Sequence, residues 1–214
     1  MFIPAAFRVE DCEKLFAFME RYSFATLVSI WQGAPFASHV PLVVDRDKGL
    51  LLGHLARGNP HCEAFAGPET LAVFMGPHAY VSPSWYATDP AVPAWNYAVV
   101  HVYGMPRLLS PDRTREVVDL TVHKYESGRQ SPWPNDLPEE FRQRLLAGVV
   151  GFEMPITRIE GKYKLGQNRS SADQEGLLQG LRRESVESRL LAEFTTRNLA
   201  ERFPAKPIDA DLPP

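Results

Sequence analysis

The apolar positions change period several times along the chain. Leu15, Phe16, Phe18, Met19 and Tyr22 share one broad stripe at helical spacing, which predicts a helix over residues 9–22. FATLVSI (24–30) is rich in β-formers and predicts a strand. Gln32-Gly33 supplies a turn, and Phe36 to Val44 continues as a second strand. Asp45 to Gly49 turns again into a third strand, Leu50 to Leu55. Such short connections predict an antiparallel meander.

Residues 56–65 predict a loop entering a short helix, with Asn59 as N-cap and Pro60 at the first helical position. TLAVFMG (70–76) is a short apolar strand that AYVS (79–82) extends past Pro77. A polar, proline-rich excursion covers 83–94, and the longest strand candidate follows over 95–109, with Gly104 and Pro106 marking a bulge or bend. Ser110-Pro111 starts a helix running to about Tyr125. A second helix begins near Pro138 and ends before Gly148. Residues 149–165 read as a hairpin turning near Glu160-Gly161. Ser171 with Gln174 three residues on forms a capping box, and the chain is helical from Ser171 to about Phe203 in two pieces.

Strands therefore follow strands without enough crossover helices for a doubly wound parallel sheet. The expected fold is mainly β with helices (α+β): a closed or partly closed antiparallel barrel with helices around it. The expected division is a barrel domain over 1–170, then a C-terminal helical segment and proline-rich tail over 171–214.

Composition narrows the function. Hydrophobic residues at 44% rule out wholesale disorder, and a net charge of −3 argues against a generally basic nucleic-acid binder. No apolar run approaches the roughly 18 residues of a membrane span, and no signal peptide is visible at the start. Two cysteines, Cys12 and Cys62, are too few for a disulfide scaffold, so a cytoplasmic location is expected. The 19 prolines, about 9% against about 5% on average, cluster in the loops named above and in a tail containing Pro204, Pro207, Pro213 and Pro214.

Familiar catalytic signatures are absent: there is no GxSxG, Walker A, GxGxxG, CxxC, HxH or HExxH. Three segments carry candidate chemistry instead. In GHLARGNP (53–60) a strand end, Arg57 and a helix start offer donors for an anion; an ordinary capped turn with a solvated arginine is the alternative. Tyr80, Trp85, Tyr86, Trp95, Tyr97 and Tyr103 suit a flat ligand, or equally a core or dimer interface. Lys162, Lys164, Gln167, Asn168 and Arg169 form either a polar lid or a solvated turn.

Seven blocks in order, among them GHLARGNPH (53–61), GPHAYVSPSWY (76–86), VPAWNYAVVHVYG (92–104) and VVGFEMPITRIEGKYKLGQNRS (149–170), resemble the PaiB-type FMN-binding negative transcriptional regulator family. The resemblance implies a six-stranded antiparallel Greek-key split barrel, usually a homodimer with FMN at the interface. It implies His54, Arg57 and Asn59 for the FMN phosphate, and Ser38 or His39 near the isoalloxazine. It also implies Trp95 and Asn96 on the inter-subunit side, with Lys164, Gln167 and Asn168 completing the site. Fold does not fix function. A flavin-dependent regulator acting through DNA or a partner protein stands beside an FMN-dependent oxidoreductase or flavin reductase. Direct DNA binding is not expected: the helices at 111–125 and 138–147 lie too far apart for a helix-turn-helix, and acids offset the arginines of the terminal helix.

Overall fold

The computed structural model describes residues 1–202, with side chains through Ala200. The first helix, α1 (Cys12–Arg21), is capped by Asp11, whose carboxylate accepts from the backbone N–H of Glu13 and Lys14, and it buries Leu15, Phe18 and Met19. Strands β2 (Phe24–Trp31) and β3 (Ala34–Pro41) form a hairpin over Gln32-Gly33. Both turn residues have positive φ (50° and 79°), the geometry that matches strand twist and that glycine adopts freely.

The expected strand 36–44 breaks at Leu42. Pro41 has no N–H to continue the ladder, while Leu42 donates its N–H to the Ser23 carbonyl (2.9 Å) and accepts from Lys124 Nζ (3.0 Å). The chain therefore leaves β3 and enters β4 (Val43–Asp45), which pairs with β5 (Leu50–Ala56). The remaining strands are β1 (Arg8–Val9), β6 (Thr70–Val81), β7 (Ala94–Gly104), β8 (Arg107–Leu108) and β9 (Val149–Lys164). The sheet order is β3-β2-β6-β7-β9-β5-β4, with β1 and β8 added on β9. The two ends of that path, β3 and β4, are neighbours in sequence through Leu42 alone. The ladder is split there, which gives the antiparallel split barrel with peripheral helices.

Two expectations of the strand pattern need correction. Among the described residues there are nine strands, not six; β1, β4 and β8 have only two or three residues, too few for alternation to reveal. The order is not a simple meander either, since β6 returns to β2 and β5 pairs with the distant β9. Proline and glycine signals also divided. Pro77 lies inside the continuous β6, whereas Pro106 ends the long strand, so β7 stops at Gly104 instead of running to residue 109. No hairpin forms at Glu160-Gly161: β9 runs straight through. A Cβ on Gly161 would lie 2.3 Å from Leu15 Cδ2 and 3.1 Å from Val9 Cβ, so this glycine admits α1 and β1 rather than turning the chain.

Helices α2 (His61–Ala64), α3 (Pro111–Glu126), α4 (Glu139–Ala147), α5 (Ser171–Arg183) and α6 (Val186–Arg202) lie close to their expected places. The cap of α5 is Ser170 rather than Ser171; its hydroxyl accepts from Asp173 N at 3.2 Å. The expected helix end at Phe203 and the tail prolines fall outside the described residues.

The chain divides into two compact units. The first comprises Met1–Phe2, Arg8–Gly76 and Val99–Gly161, and its core holds Met19, Leu27, Leu42, Leu51, Phe74, Phe152 and Met154. The second comprises Ile3–Phe7, Pro77–Ala98 and the described residues from Lys162 on, with Leu165, Leu177, Leu181 and Leu191 inside. In this unit Trp85 seats against two glycines of α5. A Cβ on Gly176 would sit 2.0 Å from the Trp85 carbonyl oxygen, and one on Gly180 would sit 2.3 Å from its ring. Gly176→Ala gains about 1 kcal/mol of helix propensity. The clash is with backbone and costs about 1–3 kcal/mol. A net loss is expected, read as a lower urea midpoint; an unchanged or higher midpoint contradicts this packing.

Candidate functional site

The turn between β5 and α2 is closed by Asn59, whose Oδ1 accepts from His61 N (2.9 Å) and whose carbonyl accepts from Cys62 N (3.0 Å). The helix it opens is a single turn of four residues, and Pro60 contributes no N–H. The expected helix-terminus contribution to anion binding is therefore slight. Side chains carry the polarity here.

Behind Asn59 runs a buried chain of polar groups. Asn59 Nδ2 donates to Ser38 Oγ (3.1 Å), which lies 3.0 Å from His61 Nδ1. His61 Nε2 lies 2.9 Å from Ser29 Oγ, and Ser29 Oγ lies 2.7 Å from Thr70 Oγ1. His61 and Thr70 are wholly inaccessible to solvent. Phe36 and Phe65 flank the imidazole at 5.3 and 5.2 Å. Burial pushes the His61 pKa below its usual value, so the ring is neutral at pH 7 and has one N–H. Two arrangements satisfy the chain. If Nε2 carries the proton, Ser38 donates to Nδ1. If Nδ1 carries it, Ser38 accepts from both His61 and Asn59, and its own O–H is released toward a ligand.

The other residues of this segment are placed differently. His54 is half-buried on β5 opposite Gly151 of β9; its Nδ1 is buried with no protein partner, and desolvation lowers its pKa. Arg57 bonds the chain segment that follows α4: Nε donates to the Ala147 carbonyl and Nη2 to that of Val149, both at 2.8 Å, and its backbone N donates to Gly148 O. A cation beside the C-terminal carbonyls of α4 is favourably placed. Arg57 is thus more than a solvated arginine, and Nη1 takes no part in these bonds. His39 is exposed, with Nδ1 2.9 Å from Thr26 Oγ1 and its ring stacked on Phe24. The structure thus joins Ser38 and Asn59 directly and links both to His61, which the sequence did not single out. The available signal was Ser29 and Ser38: polar residues at inward positions of alternating strands, needing a buried partner.

In the second unit, Asn96 on β7 is buried, and its Nδ2 has no protein partner. Trp95 is 56% exposed, 6.3 Å from the rings of both His78 and Tyr80. Gln167 spends its amide locally, accepting from Leu165 N and donating to Tyr163 O. Gly166 (φ +83°) turns the chain beside it, so this segment is a braced turn between β9 and α5. Lys164 is half-buried and Asn168 exposed. The aromatic residues of 80–103 are not one platform. Trp85 sits in the α5 groove, Tyr86 and Tyr97 lie under Arg169 and Lys162, and Tyr103 of the first unit lies under Arg158.

Four buried side-chain polar atoms lack a protein partner among the described residues: His54 Nδ1, Asn96 Nδ2, His101 Nδ1 and Thr195 Oγ1. Such atoms are costly unless a ligand or water satisfies them. Two of the four fall on residues that the resemblance assigns to FMN. His54 belongs to the first unit, with Ser38 and Arg57, and Asn96 to the second. No group of three or more metal-ligating side chains lies together among the described residues, and no helix among them is long and apolar enough to cross a membrane.

The family described as "Putative FMN-binding domain" matches residues 1–158. "Protease synthase and sporulation protein PAI 2" of Bacillus subtilis is 38% identical over 189 residues, covering 86% of this chain and 90% of that protein. Among solved structures, an FAD- and heme-binding protein of Mycobacterium smegmatis aligns with a TM-score of 0.59 at 17% identity, covering 81% of this chain and 80% of that one. The flavocytochrome Anf3 of Azotobacter vinelandii aligns with a TM-score of 0.57 at 14% identity, covering 73% and 69%. At these identities the two structures speak to the fold alone.

Proposed function

The chain belongs to the FMN-binding domain family, and from that premise we propose that it is a homodimeric FMN protein with a regulatory role. The unpartnered buried nitrogens of His54 and Asn96 carry the assignment of the site. We assign the phosphate to His54, Arg57 and Asn59, and the ring to His39, Trp95 and Asn96; Ser38, expected near the ring, is moved to the phosphate because its hydroxyl is bonded to Asn59. Lys164, Gln167 and Asn168 complete it; Gln167 is to act through the turn it braces. The barrel segment, 1–170, is taken to hold the flavin, followed by the C-terminal helical segment, whose α5 packs on Trp85. Bound FMN supplies a two-electron redox centre. The protein supplies a neutral His61 that fixes the Ser38 hydroxyl and an arginine held open by α4.

The dimer is supported by one face of the first unit. Phe24, Ile30 and Met75 are 68%, 44% and 49% exposed, and Val28 and Val73 lie on the same face by strand register. An antiparallel sheet normally turns its polar side outward. An apolar outer face is what a covered interface requires. Sedimentation should return twice the 24.1 kDa chain mass, and Phe24→Asp should return the single-chain mass. A wild-type monomer at micromolar concentration contradicts the proposal.

Both cysteines are free, in keeping with a reducing, cytoplasmic setting. A regulatory output through a partner protein is favoured over direct DNA contact. Residues 127–138 separate α3 from α4, against the 3–4-residue turn of a helix-turn-helix. Arg182, Arg183, Arg189 and Arg197 are interleaved with Glu184, Glu187 and Glu193. Gel shifts with the isolated protein at physiological salt should show little retention. A second reading, an FMN-dependent oxidoreductase or flavin reductase, draws support from an open cavity of small-molecule size in the second unit. Anaerobic addition of NAD(P)H to the FMN-loaded protein separates the two: rapid flavin bleaching favours the enzyme, and unchanged absorbance favours the regulator.

A further inference from the structure

An open cavity of about 650 Å3 in the second unit combines aromatic walls with negative charge. Its principal lining is His78, Tyr80, Trp85, Trp95, Glu184 and Glu187, completed by serines and an alanine; among the described residues no lysine or arginine lines it. The Tyr80 and Trp95 rings meet at 74° with centroids 6.3 Å apart, so they form two walls of a corner rather than a stack. Both are exposed, and the His78 ring lies 6.3 Å from that of Trp95 at 34°. The acids come from the α5–α6 junction: Glu184 follows α5, and Glu187 stands in the first turn of α6. That junction is held by Ser185, whose hydroxyl accepts from Ser188 N at 3.2 Å. The Glu187 carboxyl is held below its usual pKa by its own backbone N–H and the Ser185 hydroxyl, with smaller contributions from Arg189 and His78. It is therefore ionised at neutral pH.

We propose that this cavity binds a small organic ammonium ion, with Tyr80 and Trp95 offering ring faces and Glu184 and Glu187 the counter-charge. A cation over an aromatic face is attracted by the ring quadrupole, and quaternary ammonium groups are the commonest ligands of such cages. Two carboxylates without a lysine or arginine reject anions, which sets this cavity apart from the Ser38–Arg57 segment and from any phosphate. A neutral ligand of the same shape retains the apolar contact and loses the charge.

The test uses the FMN-loaded full chain and ligand-observed saturation-transfer NMR, with choline as probe and its uncharged carbon isostere, 3,3-dimethylbutan-1-ol, as control. Choline should bind at least about fivefold more tightly than the isostere. Tyr80→Ala, at a residue outside the flavin assignment, should weaken choline binding about tenfold and the isostere less, and Glu187→Gln should weaken choline severalfold with little change for the isostere. Glu187 is exposed, so its neutral variant should fold normally even if Tyr80→Ala does not. Equal binding of choline and the isostere, or choline binding indifferent to Glu187→Gln, overturns the proposal. A failure of FMN to bind leaves the outcome readable, because the apoprotein keeps the same cavity.

Discussion

Arg57→Ala is expected to weaken FMN binding by roughly 30- to 150-fold and to lower stability as well. The first effect follows from removing a charge-assisted donor from a phosphate dianion, which costs about 2–3 kcal/mol. The second follows from the loss of the Arg57 bonds to the Ala147 and Val149 carbonyls. Arg57 is exposed, so the stability loss stays near about 1–2 kcal/mol. Arg57→Lys should recover only part of either, because an ammonium cannot span two carbonyls and still face a phosphate. Flavin titration by fluorescence quenching, with FMN and riboflavin side by side, separates the roles. A loss confined to FMN places Arg57 on the phosphate. Equal losses for both flavins place it on the fold alone and remove it from the site.

His61→Ala is expected to be the most destabilising change at the site, at about 3–4 kcal/mol, since it leaves a cavity between Phe36 and Phe65 and breaks the polar chain. His61→Leu should cost less, because Ser38 keeps Asn59 and Ser29 keeps Thr70 as partners. The two variants also differ from wild type in acid. The folded pKa of His61 is depressed, so the unfolded chain binds more protons wherever pH falls below the usual value of 6.5. Stability is then complete above that value and declines as pH drops toward the lower folded pKa. Burial depresses His54 and His101 in the same sense. The urea midpoint should therefore fall between pH 7 and pH 5, and His61→Leu should flatten that fall. An identical pH slope in the variant contradicts a buried neutral His61.

Local signals were legible where one residue type has one physical consequence. Gln32-Gly33 needs positive φ, and Ser110-Pro111 can only open a helix; both lie where the sequence puts them. Signals with two physical meanings misled. Gly161 reads as a turn but serves close packing against Leu15, and Phe36 to Val44 reads as one strand because Pro41, which also fits an edge strand, does not by itself show that Leu42 changes hydrogen-bond partner. The site divides the same way. Asn59 was legible as the residue that closes the turn, since its Oδ1 accepts from His61 N, but the N-cap position falls on Pro60 and the helix starts one residue later than expected. The partnership of Ser38 and His61 was not, because it depends on β3 and α2 being brought together by pairings that no local pattern encodes. The bonds of Arg57 to residues about ninety positions away were invisible for the same reason.

The most direct measurement is equilibrium binding of FMN and riboflavin to the purified chain. Saturable binding of one FMN per chain is predicted, with riboflavin weaker by at least about tenfold because it lacks the phosphate that Ser38, Asn59 and Arg57 are assigned to hold. No saturable FMN binding, or equal affinity for the two flavins, would contradict the account.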